Sequence, residues 1–381
     1  MAHSDVVDIV IVGGGIIGCS VAMDLSSRGL FDTVFLLEKG QYLGNGTSTR
    51  NSYVIHAGIY YPEGSLKARF CGEGNRETYG FCEQHDIPHL QTGKLIMATA
   101  PEEIPILERL LGQGKNNGVE GLRILERPEW KNLEPYVEGL VALHSPQTGV
   151  FDTAQWFRTV EGLLYSKGVT VLKRTPVVGL NPKGDYMEVE TASRGKVKAR
   201  FVVNAAGLHA DELASLLGNS ISLHPYRGDY FMVGGSRAEE IHRAVYPVPG
   251  AIGLGIHLTK LWDGTLLIGP DARHVSSKED YADLPVFTPE GDLDLNAPDV
   301  VRFHESAVRL FPLLKRKDMR LAHCGIRPSR LAPGEEGFRD FVVTHDPSYP
   351  QVIHLIGIDS PGLTCAMPIA RYVGNLIRDL A

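Results

Sequence analysis

Gly13, Gly15 and Gly18 carry the G-x-G-x-x-G spacing, and Glu38 follows 20 residues after the last of them. Those residue types suit the capture of an adenine dinucleotide. Gly13 makes a tight turn, Gly15 lets a backbone approach a pyrophosphate, and Gly18 lets a helix lie close to a strand. Ile16 and Ile17 open that helix, whose unpaired N–H groups and positive dipole face the phosphates. Glu38 is placed to accept hydrogen bonds from ribose hydroxyls. A second glycine-rich turn, Gly357-Ile358-Asp359-Ser360-Pro361-Gly362, stands 344 residues after Gly13.

The first constellation needs a strand, a turn, a helix and a second strand in that order. Residues 8–12 read as a buried parallel strand, 21–25 as helix, and 33–37 as the second strand with Glu38 at its end. A polar loop, 44–52, follows. A helix is expected over 63–84, strands over 94–98 and 140–144, and a short helix over 105–111. Residues 153–167 form an amphipathic helix. Strands then follow at 169–173, 176–180 and 186–191. The strand 198–204 runs into Ala205-Ala206-Gly207, small enough for a backbone to lie against a ligand. Residues 221–269 are strand-rich, with strands at 230–233, 253–258 and 265–268, and 299–310 is helical. Strands 341–344 and 352–356 lead into the second glycine-rich turn and a last helix, 363–380. Such a returning helix N-terminus suits the electron-rich end of a flavin ring, which a nicotinamide site would not need.

The chain has 381 residues and a formal net charge of −7, so nucleic acid is not an expected partner and an anionic substrate must meet a local cationic pocket. Cys19, Cys71, Cys82, Cys324 and Cys365 are scattered, odd in number and contain no C-x-x-C pair, which suits reduced thiols in a cytoplasmic protein. Residues 1–7 lack the pattern of a signal peptide, and no apolar run suggests a membrane span, which leaves peripheral membrane contact open. The fourteen histidines form no H-E-x-x-H or similar metal set, and G-x-S-x-G is absent.

Over nearly its whole length the sequence resembles the D-amino-acid-oxidase-like (DAO) FAD-dependent oxidoreductases. It is most similar to their L-2-hydroxyglutarate dehydrogenase/oxidase branch. The residues that carry the resemblance are Asn51 through Pro62, Gly64 through Ala68, Pro225 through Tyr230, Gly255 through Thr259, Gly325 through Pro328 and Ser360 through Thr364. The block around His56 is specific to the branch. Two positions depart from its pattern: Arg50 stands where histidine is more often found, and Tyr53 where glycine is often found.

The resemblance implies an α/β, two-lobe fold of glutathione-reductase/DAO type. A Rossmann-like FAD-binding domain is expected from residues 1–85, 146–218 and 320–381. A strand-rich, mixed-sheet substrate domain is expected from 86–145 and 219–319. Noncovalent FAD is expected on Gly13, Gly15, Ile16, Ile17, Gly18, Glu38 and Lys39, then on Thr47, Ser48, Thr49, Asn51 and Ser52. Val177, Ala205, Ala206, Gly207 and Gly325 join them, with Gly357, Ser360, Pro361, Gly362, Leu363 and Thr364. Cys324 lies where sarcosine oxidases tether their flavin, although a small core residue is the simpler reading.

The activity implied is oxidation of an L-2-hydroxy acid, with L-2-hydroxyglutarate to 2-oxoglutarate the best match. Hydride passes to flavin N5 and electrons go on to oxygen or a quinone-type carrier. Arg327 offers a planar two-donor fork for the substrate carboxylate. His56 is the first candidate for the base that takes the hydroxyl proton and His257 the second. Tyr60, Lys67 and Arg227 are further substrate-binding candidates, Lys67 for the distal carboxylate of a diacid. Three other readings compete. An amine oxidase of the glycine or sarcosine oxidase type would share anchor and flavin. A noncatalytic flavoprotein would not be reduced by any substrate, and an NAD(P) dehydrogenase would be colourless.

Overall fold

The strand Val6–Val12 carries a β-branched residue at every position but Asp8, and its Ile9, Val10 and Ile11 are fully buried. Burial on both faces is what a central parallel strand requires. It pairs in parallel with Val34–Leu37 on one side and with Gly195–Asn204 on the other. This is a computed structural model, describing residues 6–250 and 254–380.

The described residues group into two compact units. The first comprises 6–49, 153–225 and 327–380; the second comprises 50–152 and 226–326. The first unit is built on an eight-stranded sheet, with Thr170–Leu172 beyond Val34–Leu37. The long strand Gly195–Asn204 is shared: its first half pairs antiparallel with Tyr186–Thr191, and its second half parallel with Val352–Ile356. The register sets Val12 beside both Leu37 and Asn204, and Asn204 beside His354. Gly13, Glu38, Ala205 and Gly357 therefore leave the sheet along one edge. That edge, the carboxyl end of the parallel strands, is where open α/β sheets bind ligands.

The second unit holds a nine-stranded mixed sheet and a three-stranded one formed by Val54–Ile55, Gly149–Phe151 and His89–Leu90. At the middle of the larger sheet, Lys94–Ala98 pairs in parallel with Ala244–Pro247 and antiparallel with Val141–Ser145. Both of its faces are covered. Leu95 and Met97 join a core with Trp130, Phe231 and Phe303. Ile96 and Ala98 join another with Leu143 and Tyr246. By the two-residue period of a strand, Lys94 lies on the face of Ile96 and Ala98.

Several expectations shift. Residues 50–85, expected with the nucleotide part, pack in the second unit. There Val54–Ile55 pairs with Gly149–Phe151, and Asn75 on the helix Leu66–Gln84 bonds the carbonyls of His56 and Gln147. The strand expected over 253–258 is instead Leu258–Lys260, Gly253 lying outside the described residues. The reason is a turn at Gly255, which has φ +75°. The helix expected over 105–111 spans Ile104–Asn116. The last helix, expected from 363, is Ala366–Arg378, because 360–365 form turns.

Candidate active site

In the first unit, the turn after Val6–Val12 and the helix that follows it each accept only glycine at one point. Gly13 has φ +109°, and a Cβ on it would strike the Ala205 carbonyl. A Cβ on Gly18 would strike the Gly13 carbonyl oxygen. The helix Ile16–Ser27 is thus held hard against the sheet, its first N–H groups at the sheet edge. Ser48 Oγ, in the short turn Thr47–Thr49, accepts from Ile16 N–H at 3.0 Å. Thr49 Oγ1 donates to the Gly44 carbonyl at 2.7 Å, which folds the polar loop back on itself.

The Glu38 carboxylate accepts from Gly14 N–H at 2.7 Å and Gly40 N–H at 2.6 Å. The acid is therefore fixed beside the glycine turn. Thr175 N–H donates to the Glu38 carbonyl at 2.8 Å, and Val177 begins the strand two residues on. Lys39 instead reaches His209 Nε2 at 2.9 Å, and His209 in turn meets Glu212. Ala205 leaves Gly195–Asn204 beside Gly13, with Ala206 and Gly207 following it into a short turn. Gly357 has φ +71° where the chain leaves Val352–Ile356. Residues 360–364 form the turns before Ala366–Arg378. A closed glycine turn, a fixed ribose-type acid and a helix start at one sheet edge fit an adenine dinucleotide. Glu38→Ala is expected to leave the fold intact and lower FAD retention, read as flavin content after gel filtration.

The second unit gathers His56, Tyr60 and His257 around residues the sequence did not single out. Lys94 Nζ donates to Tyr60 Oη at 3.2 Å and lies over the Tyr60 and Tyr246 rings, 4.5 and 4.7 Å from their centroids. Tyr246 stacks on His257 with ring centroids 3.7 Å apart and planes at 19°. His257 Nδ1 meets the Gly255 carbonyl at 2.8 Å, which orients its ring. The His56 carbonyl accepts from Asn75 at 3.0 Å, so the backbone carrying that imidazole is anchored to the helix Leu66–Gln84.

Burial, then the nearby Lys94 charge and then His257, hold the His56 pKa down at about 3. Burial also brings the Lys94 ammonium down to about 7. Burial, then Tyr246, pushes the Tyr60 phenol well up, so it stays protonated. The cluster therefore offers a neutral imidazole able to take a proton, a phenol able to donate one, and a cation. A clue to Lys94 was legible: a lysine opens the otherwise apolar run Leu95-Ile96-Met97-Ala98.

Arg227 is 3% exposed and already engaged: it donates to the Asp229 carboxylate at 2.7 Å, to Asp280 at 3.0 Å and to the Ala282 carbonyl at 2.5 Å. Lys67, 7% exposed, is buried in the first turn of Leu66–Gln84 rather than solvated. Gly325 and Arg327 share the strand Met319–Ser329, and Arg327 falls with the first unit. Gly325 has a packing reason of its own, since a Cβ there would strike the Arg50 carbonyl. Asn51 Oδ1 accepts from Tyr53 N–H at 2.7 Å, and Ser52 Oγ meets the Tyr230 hydroxyl at 3.2 Å.

Tyr53 has φ +60°, the left-handed region where glycine is at home. Holding a tyrosine there costs about 1 kcal/mol or more. Its ring is packed edge-on to Trp262 at 5.5 Å and beside His323 at 5.8 Å, contacts that offset the cost. Cys324 is 5% exposed, and burial pushes its thiol pKa up. No disulfide joins any of the five cysteines. Among the described residues no helix is long and apolar enough to cross a membrane.

Residues 8–376 match the family model described as FAD dependent oxidoreductase (DAO). The chain belongs to that DAO family and is an FAD-dependent oxidoreductase. The mitochondrial L-2-hydroxyglutarate dehydrogenase of Arabidopsis thaliana is 34% identical over 406 residues, spanning 97% of this chain and 83% of the plant protein. The L-2-hydroxyglutarate dehydrogenase of Escherichia coli K12 is 29% identical over 398 residues, spanning 98% and 93%. Among solved structures, the dithionite-reduced L-alpha-glycerophosphate oxidase of Mycoplasma pneumoniae with FAD bound is similar, with a TM-score of 0.86 and 27% identity. It covers 98% of this chain and 95% of its own.

Proposed function

We propose that the protein oxidises an L-2-hydroxy acid, L-2-hydroxyglutarate foremost, to the 2-oxo acid. The observation that carries this reading is the placement of His56, a buried imidazole gathered with Lys94, Tyr60 and His257 in the second unit. An alcohol must lose its hydroxyl proton as C2 is oxidised, and a neutral imidazole can accept it. The names of the plant and bacterial relatives support the choice of substrate.

When bound, FAD supplies the two-electron acceptor for the hydride from C2. The chain's own residues do the rest. Arg327 holds the C1 carboxylate in its fork, which fixes the orientation of C2. His56 takes the hydroxyl proton on an imidazole nitrogen as the carbonyl forms. His257, oriented by the Gly255 carbonyl, polarises the same hydroxyl. Arg227, committed to Asp229, positions its own strand. FAD is held noncovalently, because the buried Cys324 thiol yields little of the thiolate that a tether would require. The electrons pass on to oxygen or a quinone-type carrier, and the location is cytoplasmic.

Anaerobic mixing of the yellow protein with L-2-hydroxyglutarate, lactate, glycerol 3-phosphate, glycine, sarcosine and proline tests the reading. L-2-hydroxyglutarate is expected to bleach the flavin fastest. Bleaching by glycine or sarcosine alone would replace the hydroxy acid with an amine. Arg327→Ala is expected to keep FAD and to raise KM for the hydroxy acid by about 30-fold or more. An unchanged KM would remove Arg327 as the anchor.

A further inference from the structure

Lys94 is 1% exposed, yet lysine is almost never buried without a partner. Its ammonium has three hydrogens to donate. One meets Tyr60 Oη, and the faces of Tyr60 and Tyr246 flank the nitrogen. Among the described residues no carboxylate forms an ion pair with it; its nitrogen faces the Tyr60 hydroxyl and two aromatic rings. Ring faces favour a cation. They only partly repay the burial of an ammonium, which brings the Lys94 pKa down to about 7, and an arriving carboxylate would restore the full charge. The fold holds this charge rigidly. Lys94–Ala98 is hydrogen-bonded on both sides, and Tyr246 lies in the neighbouring strand, opposite Ile96.

We propose that Lys94 receives the distal carboxylate of a dicarboxylic substrate. The assignment rests on the reading of the enzyme as a hydroxy-diacid oxidoreductase, and it transfers to Lys94 the role that the sequence suggested for Lys67. Tyr60 orients the ammonium through its hydroxyl. The cluster selects for chain length and for the second charge, while His56 acts on the hydroxyl.

The test uses the FAD-loaded protein and two unreactive five-carbon acids, glutarate with two carboxylates and pentanoate with one. Binding is read from the perturbation of the flavin visible spectrum. The wild type is expected to bind glutarate about tenfold or more tightly than pentanoate. Lys94→Met is expected to weaken glutarate by about 30-fold or more while pentanoate moves by less than about threefold. Lys94→Gln, polar and uncharged, should do the same and serves if the methionine variant does not fold. Equal binding of the two acids by the wild type overturns the assignment, as does a glutarate preference that survives either substitution. The underlying substrate reading fails separately. If only glycerol 3-phosphate or an amine bleaches the flavin, yet the glutarate preference still depends on Lys94, the proposed reaction falls and Lys94 stands as a carboxylate holder.

Discussion

Gly18→Ala is expected to yield protein with less than about a tenth of the wild-type flavin content after gel filtration. A methyl group on Gly18 would occupy the space of the Gly13 carbonyl oxygen. Gly13 cannot give way, because its φ of +109° and its contact with the Ala205 carbonyl fix it in turn. The helix Ile16–Ser27 must therefore back away from the sheet edge and carry its first turn, with the Ile16–Ser48 hydrogen bond, along with it. A phosphate group feels displacements of that size, since hydrogen bonds weaken steeply with distance and angle. Gly80 provides the control. It is an exposed position in the helix Leu66–Gln84 with nothing near its missing Cβ, and Gly80→Ala should stabilise the protein by about 0.5–1 kcal/mol. Full flavin content in Gly18→Ala would mean that the turn is not the cofactor cradle.

The second large effect is expected at His56. His56→Gln should slow anaerobic flavin reduction by L-2-hydroxyglutarate by about 10²- to 10⁴-fold, the usual worth of a positioned base. Glutarate affinity should change little, since the imidazole is assigned to the hydroxyl and not to a carboxylate. The pH profile gives an independent check. Burial lowers the His56 pKa to about 3, so the base form is the populated one at every pH above that value. Protonation of His56 therefore removes no activity between pH 5 and pH 8. An acid limb near pH 6.5 that disappears in His56→Gln would show that the imidazole is solvated and titrates normally. An unchanged reduction rate would transfer the proton to His257.

The cofactor half of the site was legible in the sequence because its physics is local. Gly13 to Gly18 and Glu38 act through backbone shape and through a spacing that one strand and one helix impose. The strand register then places Ala205 and Gly357 at the same edge. The substrate half was legible only in part. His56, His257 and Tyr60 could be named, but Lys94 and Tyr246 meet through parallel pairing of Lys94–Ala98 with Ala244–Pro247, segments 150 residues apart. Nothing in either segment alone announces that pairing. Arg227 shows the opposite case. Its partner Asp229 lies only two positions along the same strand, but Asp280 and the Ala282 carbonyl arrive from a distant loop and fill its remaining donors. The boundary at 50–85 moved because the helix Leu66–Gln84 finds its hydrogen-bond partners at His56 and Gln147.

The sheet that carries the glycine turn is assembled from segments far apart in the chain. Val6–Val12 pairs with Gly195–Asn204, which waits in turn for Val352–Ile356. The first and last helices are then clasped, with Arg28 donating to the Arg371 carbonyl and to Asn375 Oδ1, both at 3.0 Å. During translation, a ribosome that has released only the first three hundred residues has produced a nascent sheet with a naked, highly apolar border at Val202–Asn204. Such borders invite sticking between neighbouring polypeptides. Premature stop codons late in the reading frame should therefore give insoluble product rather than a shortened, working enzyme.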